Sequence, residues 1–209
     1  MTVAAPQLAR PRARGIIGEG KNFYFDRDFA RHAVKILPGE FFVADNDIVL
    51  TTVLGSCVAA CIWDHAQGIG GMNHFMLPDG ADRDPGGLAG RYGVFAMEQL
   101  INELFKRGAR KANFEAKVFG GGNVMANIVS IDVGKRNADF VLEFLATEGI
   151  GVTARDLLDK RPRRVAFFPA TGRALCKKLP QADTSLVTAE RQYGATLKSK
   201  PVVGDVELF

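Results

Sequence analysis

Apolar and polar positions alternate along most of this chain in short runs, and the runs mark out strands more often than helices. Phe41 to Val43 and Ile48 to Val53 read as strands around the turn residues Asp45-Asn46-Asp47. Ile48 to Pro78 is the densest stretch, IVLTTVLGSCVAACIWDHAQGIGGMNHFMLP. Its first half, Ile48 to Trp63, is almost wholly apolar or hydroxylated, but Gly55 and Ser56 break it and it is too short to span a bilayer. It is read as two strands, the second being Cys57 to Trp63, followed by a hairpin return from Ile69 to Leu77. Ala116 to Phe119, Ile150 to Leu157, Arg164 to Pro169 and a short run ending near Leu179 complete the expected strands.

Helical spacing is clearest over Arg91 to Arg107, where Val94, Met97, Ile101, Leu104 and Phe105 form a stripe that Gly108 terminates. Asn137 to Glu148 repeats the pattern and stops at Gly149. A short helix is also expected over Asp26 to Leu37, from Phe29, His32, Ala33 and Ile36, with His32 at the surface. Asp79 to Gly93 is rich in Gly and Asp and is read as a lid or binding loop. Gly120-Gly121-Gly122 lacks the Walker lysine and the GxGxxG spacing, so it is taken as a tight turn and not a phosphate cradle. Asp159 to Arg164 is taken as a solvated basic turn. Strands with hairpins among them, interrupted by helices, predict an α+β or mixed α/β fold of layered, sandwich-like mixed sheets flanked by helices.

Composition narrows the class. In 209 residues nearly half are apolar and 15 are Phe, enough for one core and one domain. Residues 1–20 carry Pro and Arg without periodicity and read as a disordered arm; 21–180 is the domain; 181–209 reads as an extended or flexible tail, with Val206 to Phe209 as a candidate docking peptide. A net charge of +4 permits anionic partners, but the basic residues are scattered without an aromatic platform, which disfavours nucleic acid. Three cysteines without C-x-x-C spacing fit neither a disulfide framework nor a structural zinc site, and no apolar signal core opens the chain, so a reducing cytoplasm is expected.

Candidate chemistry centres on Cys57 and His74. If the hairpin turn centres between His65 and Ala66, these two residues stand directly opposite, with Cβ atoms about 4.5–5.5 Å apart. A slip of one residue would put them on opposite faces. Gly55 and Ser56 form a sharp turn whose backbone N–H groups can face a substrate carbonyl, whereas Cys61 and Cys176 are read as packing residues.

Five stretches resemble a known family: Leu54-Gly55-Ser56-Cys57-Val58, Gly71 to Pro78, Arg91-Tyr92-Gly93, Lys117 to Gly122 and Gly134 to Asn137. Together, over Phe41 to Leu179, they are similar to the chemoreceptor glutamine deamidases called CheD. The resemblance implies a Thr-Cys-His constellation at Thr51, Cys57 and His74, with Gly55, Ser56 and Asn73 on the oxyanion and substrate side, and no metal or organic cofactor. Methyl-accepting chemotaxis receptors are the implied substrates, with a CheC-type phosphatase as a further partner. A receptor glutamate methylesterase and a non-catalytic adaptor are the rival readings. The chain departs from many members at Leu157-Leu158-Asp159 and Pro162-Arg163, where they carry a Gly-Gly pair and a later Gly-Arg.

Overall fold

Strand alternation decides which side chains meet. The computed structural model describes residues 19–78, 88–123, 133–180 and 184–199. Its ten strands are β1 (Asn22–Asp26), β2 (Arg31–Lys35), β3 (Phe41–Ala44), β4 (Val49–Leu54), β5 (Val58–Asp64), β6 (Ile69–Asn73), β7 (Phe114–Gly120), β8 (Gly151–Leu157), β9 (Arg163–Phe168) and β10 (Arg173–Lys178). They form two five-stranded mixed sheets, ordered β1-β2-β4-β9-β10 and β3-β6-β5-β7-β8. Three α-helices are described, α1 (Leu88–Lys106), α2 (Val133–Thr147) and α3 (Thr184–Ser199).

The layers follow from residue parity. Cys57, Ala59 and Cys61 of the second sheet meet Leu50, Leu54, Val165 and Phe167 of the first, filling the space between the sheets. Val58, Ala60 and Ile62 point the other way, onto Met97, Leu100 and Leu104 of α1 and Val141 and Leu145 of α2. β5 is therefore covered on both faces, which is why its sequence is a near-continuous apolar run instead of an alternating one. A layered α+β fold, with two sheets packed face to face and helices outside the second, is what the strand and helix patterns predicted.

Several expectations change. Asp26 to Leu37 is not a helix: β1 and β2 form an antiparallel hairpin with Asn22 opposite Lys35 and Asp26 opposite Arg31. Asp26 Oδ1 accepts the N–H groups of Asp28 and Phe29, and Ala30 adopts φ 51°, so a local turn wins over the chance helical spacing. His32 is exposed, as expected. In place of an extended tail, residues 184–199 form α3. The basic turn is only partly solvated, because Arg163 is fully buried, its Nε donating to Asp156 Oδ1 at 2.8 Å and its other nitrogens to the carbonyls of Arg161 and Leu158. Residues 1–18 of the arm, 79–87 of the loop and Val206 to Phe209 lie outside the described residues, and 88–93, read as loop, form the start of α1.

Candidate active site

The β5–β6 hairpin brings the thiol and the imidazole onto one face, by a register two residues away from the expected one. Asp64 pairs with Ile69 and Cys61 with Met72, and an isolated bridge joins Val58 to Phe75. Asp64 Oδ1 accepts the N–H groups of Ala66 and Gln67, and Gly68 takes φ 66°, which centres the loop one residue further along. Cys57 and His74 are thus diagonal rather than opposite. A shift of two preserves the face, and both side chains enter the space between the sheets.

His74 is buried, and its tautomer is fixed by its neighbours. Thr52 Oγ1 donates to the Ile36 carbonyl at 2.8 Å, which spends the only hydroxyl proton. The 2.8 Å contact between Thr52 Oγ1 and His74 Nδ1 then requires the imidazole to donate from Nδ1, consistent with the Ile36 carbonyl lying 3.4 Å from the same nitrogen. Nε2 carries the lone pair and has no hydrogen-bond partner among the described residues. Burial lowers the His74 pKa to about 4, against the opposing influence of Glu190 and the Ile36 carbonyl. Burial first, and the Glu190 carboxylate second, push the Cys57 thiol well above its ordinary value. Both shifts favour the uncharged forms of the thiol and the imidazole.

Thr51 does not touch His74. Successive side chains on β4 point to opposite faces; Thr52 turns inward with Leu50 and Leu54, while the Thr51 hydroxyl bonds Tyr24 at 2.8 Å and its carbonyl accepts the Ile36 N–H. Asn73 is likewise on the other face from His74. Its Oδ1 accepts the Ala60 N–H at 2.9 Å and its Nδ2 donates to the Ala96 carbonyl at 3.1 Å, so its amide ties β5 and β6 to α1.

Gly55, Ser56 and Cys57 form a tight turn that Asn137 of α2 steadies, its Nδ2 donating to the Ser56 carbonyl and its Oδ1 accepting the Leu77 N–H. The Gly120-Gly121-Gly122 run lies against the same turn. Gly121 N–H donates to the Cys57 carbonyl and Gly122 N–H to the Gly55 carbonyl, with φ 110° at Gly120 and 65° at Gly121. The turn's own N–H groups all face one buried carboxylate, Glu190 of α3. Its Oε1 accepts from Gly55 at 2.8 Å and Cys57 at 3.3 Å, and its Oε2 from the Ser56 N–H at 3.0 Å and the Ser56 hydroxyl at 2.7 Å.

Cys57 Sγ, a His74 ring nitrogen and a Glu190 oxygen lie within 4.8 Å of one another. These are also metal-ligating atom types, but both carboxylate oxygens are turned onto hydrogen-bond donors. What the arrangement supplies is a nucleophile, a base with a free lone pair and converging N–H donors, the parts needed for acyl transfer. Sequence reasoning missed Thr52, Asn137 and Glu190. The last two are polar residues on otherwise apolar helical stripes, and that was the available signal.

Comparison with known proteins finds relatives over most of the chain. A family model described as CheD chemotactic sensory transduction matches residues 76–178. A protein of Dechloromonas aromatica named probable chemoreceptor glutamine deamidase CheD 1 is 57% identical over 90% of this chain and 94% of its own length. Proteins of Herminiimonas arsenicoxydans and Thiobacillus denitrificans, each named probable chemoreceptor glutamine deamidase CheD, are 54% and 55% identical over 90% of this chain and 94% and 95% of their own.

Proposed function

Because the chain belongs to the CheD family, we propose that it hydrolyses glutamine side chains of chemotaxis receptors to glutamate and ammonia, with Cys57 as nucleophile and His74 as base. The observation that carries this reading is the convergence of the Gly55, Ser56 and Cys57 N–H groups on a carboxylate within 4.8 Å of the thiol and the imidazole. A glutamine carboxamide has the same planar shape: its oxygen can take the Gly55 and Cys57 N–H groups, and its nitrogen, which cannot accept from the Ser56 N–H, is the side that leaves.

His74 Nε2 takes the Cys57 proton, and the thiolate adds to the carboxamide carbon. Negative charge developing on the oxygen is met by the Gly55 and Cys57 N–H groups, which are already oriented and buried. The protonated imidazole gives its proton to the departing amine, releasing ammonia and leaving a thioester. Water, deprotonated by the same nitrogen, hydrolyses the thioester and restores the thiol. No helix among the described residues is long and apolar enough to cross a membrane. In this reading the protein works in the cytoplasm, peripheral to receptor arrays, where a CheC-type phosphatase would be a further partner.

The test is intact-mass spectrometry of a receptor cytoplasmic fragment after incubation with the full chain. Each hydrolysed amide adds about 1 Da, as replacement of nitrogen by oxygen requires in a thiol-catalysed hydrolysis. A fragment that binds without gaining mass sinks the reading and favours the adaptor.

Thr52, not Thr51, is the residue proposed to hold the His74 tautomer. Thr52→Val is expected to lower kcat by about 10- to 100-fold, in the range of losing an orienting hydrogen bond, and to be rescued by Thr52→Ser. Thr51→Val should stay within about twofold of wild type, since an interaction remote from the imidazole leaves transition-state stabilisation intact. Equal losses in the two valine variants would contradict the assignment.

A further inference from the structure

α3 has an apolar stripe with one acid set into it. Tyr193 and Leu197 pack against the core between the sheets, and Glu190, one turn before Tyr193, is buried at 2% exposure. A carboxylate without a neighbouring cation is costly to bury, and among the described residues Glu190 makes no salt bridge. Its compensation is the three N–H groups and one hydroxyl of residues 55–57. The helix is seated further by a hydrogen bond between the Tyr193 and Tyr92 hydroxyls and by Gly39, where a Cβ would come within 2.9 Å of the Tyr193 ring.

Glutamate is the product of glutamine hydrolysis, and this one is presented from a helix. We infer that α3 is a product-like occupant of the catalytic cleft: Glu190 takes the position of the side-chain carboxyl group left after hydrolysis, and a substrate glutamine on a helix must displace α3 to react. This rests on the deamidase reading and extends it. It makes the substrate's presentation helical, and it makes the chain its own competitive inhibitor. The Glu190 carboxylate also repels the thiolate, so displacement by a neutral carboxamide opens the cleft and removes the charge opposing the nucleophile in one step.

Three full-length variants test it, each read by alkylation of Cys57 with iodoacetamide and by mass gain of the receptor fragment. Glu190→Ala removes the occupant; Leu197→Asp keeps Glu190 but unseats the helix, which separates occlusion from charge. Both are expected to speed alkylation by at least about tenfold, as exposure of a shielded thiol does, and to raise the deamidation rate. The third variant, Glu190→Gln, places a carboxamide in the cleft. Thiolate attack there forms the C–S bond, ammonia leaves with the imidazole proton, and water hydrolyses the thioester, so the chain should convert to the wild-type mass. When Glu190→Gln is combined with Cys57→Ala, the introduced amide should persist.

Alkylation at the wild-type rate in both Glu190→Ala and Leu197→Asp overturns the inference. So does a wild-type deamidation rate that neither variant raises, or a Glu190→Gln chain that keeps its introduced amide while still deamidating the receptor fragment. If alkylation accelerates while no variant deamidates the fragment, the occupant stands and the deamidase reading falls.

Discussion

Cys57→Ala is expected to reduce deamidation of a receptor fragment by at least about 10⁴-fold, the scale seen when a catalytic nucleophile is removed from a preorganised site. The reaction has no other thiol to fall back on. Cys61 lies further along the same strand face, buried between the sheets with its pKa raised strongly by that burial, and Cys176 is on β10, at the far edge of the other sheet. The loss should come without unfolding. The turn is held by backbone groups that alanine keeps, chiefly the Cys57 carbonyl accepting from Gly121 and the Cys57 N–H donating to Glu190. Removing one buried sulfur costs about 1 kcal/mol of packing, a small fraction of a domain's stability. Mass gain of the fragment and the denaturant midpoint of the variant measure the two halves separately. Residual activity above about 1% would mean that a different nucleophile does the work.

Gly120→Ala should have the largest effect on stability. A Cβ there would lie 2.2 Å from the Cys57 carbonyl oxygen and 3.2 Å from its carbon, and φ is 110°, where an L side chain is strained in any surroundings. The conformational penalty is about 1–2 kcal/mol and the overlap adds a similar amount, so a loss of roughly 3 kcal/mol is expected. Gly149 is the control. It has φ 68° but nothing within 4 Å of its added Cβ, so Gly149→Ala should show only the conformational part, about 1 kcal/mol. Urea midpoints with an unchanged slope would give the comparison. Because relief at Gly120 must move the Cys57 carbonyl, the variant's remaining folded fraction should also deamidate more slowly. Equal stability losses at the two glycines would show that the close approach is not rigid.

The two predictions also mark which parts of the molecule were legible in its residues. β3 to β7 and β9 announced themselves as apolar or alternating runs, because strands packed on one or both faces leave little freedom in composition, whereas β8 and β10 are largely exposed and were legible from the glycine turns beside them. The β1–β2 hairpin did not. Phe29, His32, Ala33 and Ile36 fall at helical intervals by coincidence, and what overrides them is a side-chain turn at Asp26 that only competes successfully once Val34 and Ile36 can pack between the sheets. Cys57 and His74 were found together because an even register error leaves the face unchanged. Thr51 and Asn73 were assigned by resemblance and not by parity, and parity sends both side chains away from the imidazole. Glu190 stood out locally only as an acid on an apolar helical stripe; its role could not be reached from there, since its partners are more than 130 residues earlier in the chain.

That last separation is one case of a general property of the strand order. β4 pairs with β9, β2 runs parallel to β4 across an intervening strand of the other sheet, and β7 runs parallel to β8 across α2. Pairings of this kind close long loops before any contact rewards them, which places the chain among slow folders, on a scale of roughly milliseconds to seconds or longer. The cleft draws on residues 36, 52, 55–57, 74, 120–122, 137 and 190, so no fragment of the sequence can assemble it early. During synthesis Cys57 emerges before His74 and more than 130 residues before Glu190, so the proposed pair and the helix that covers it come together only late in folding.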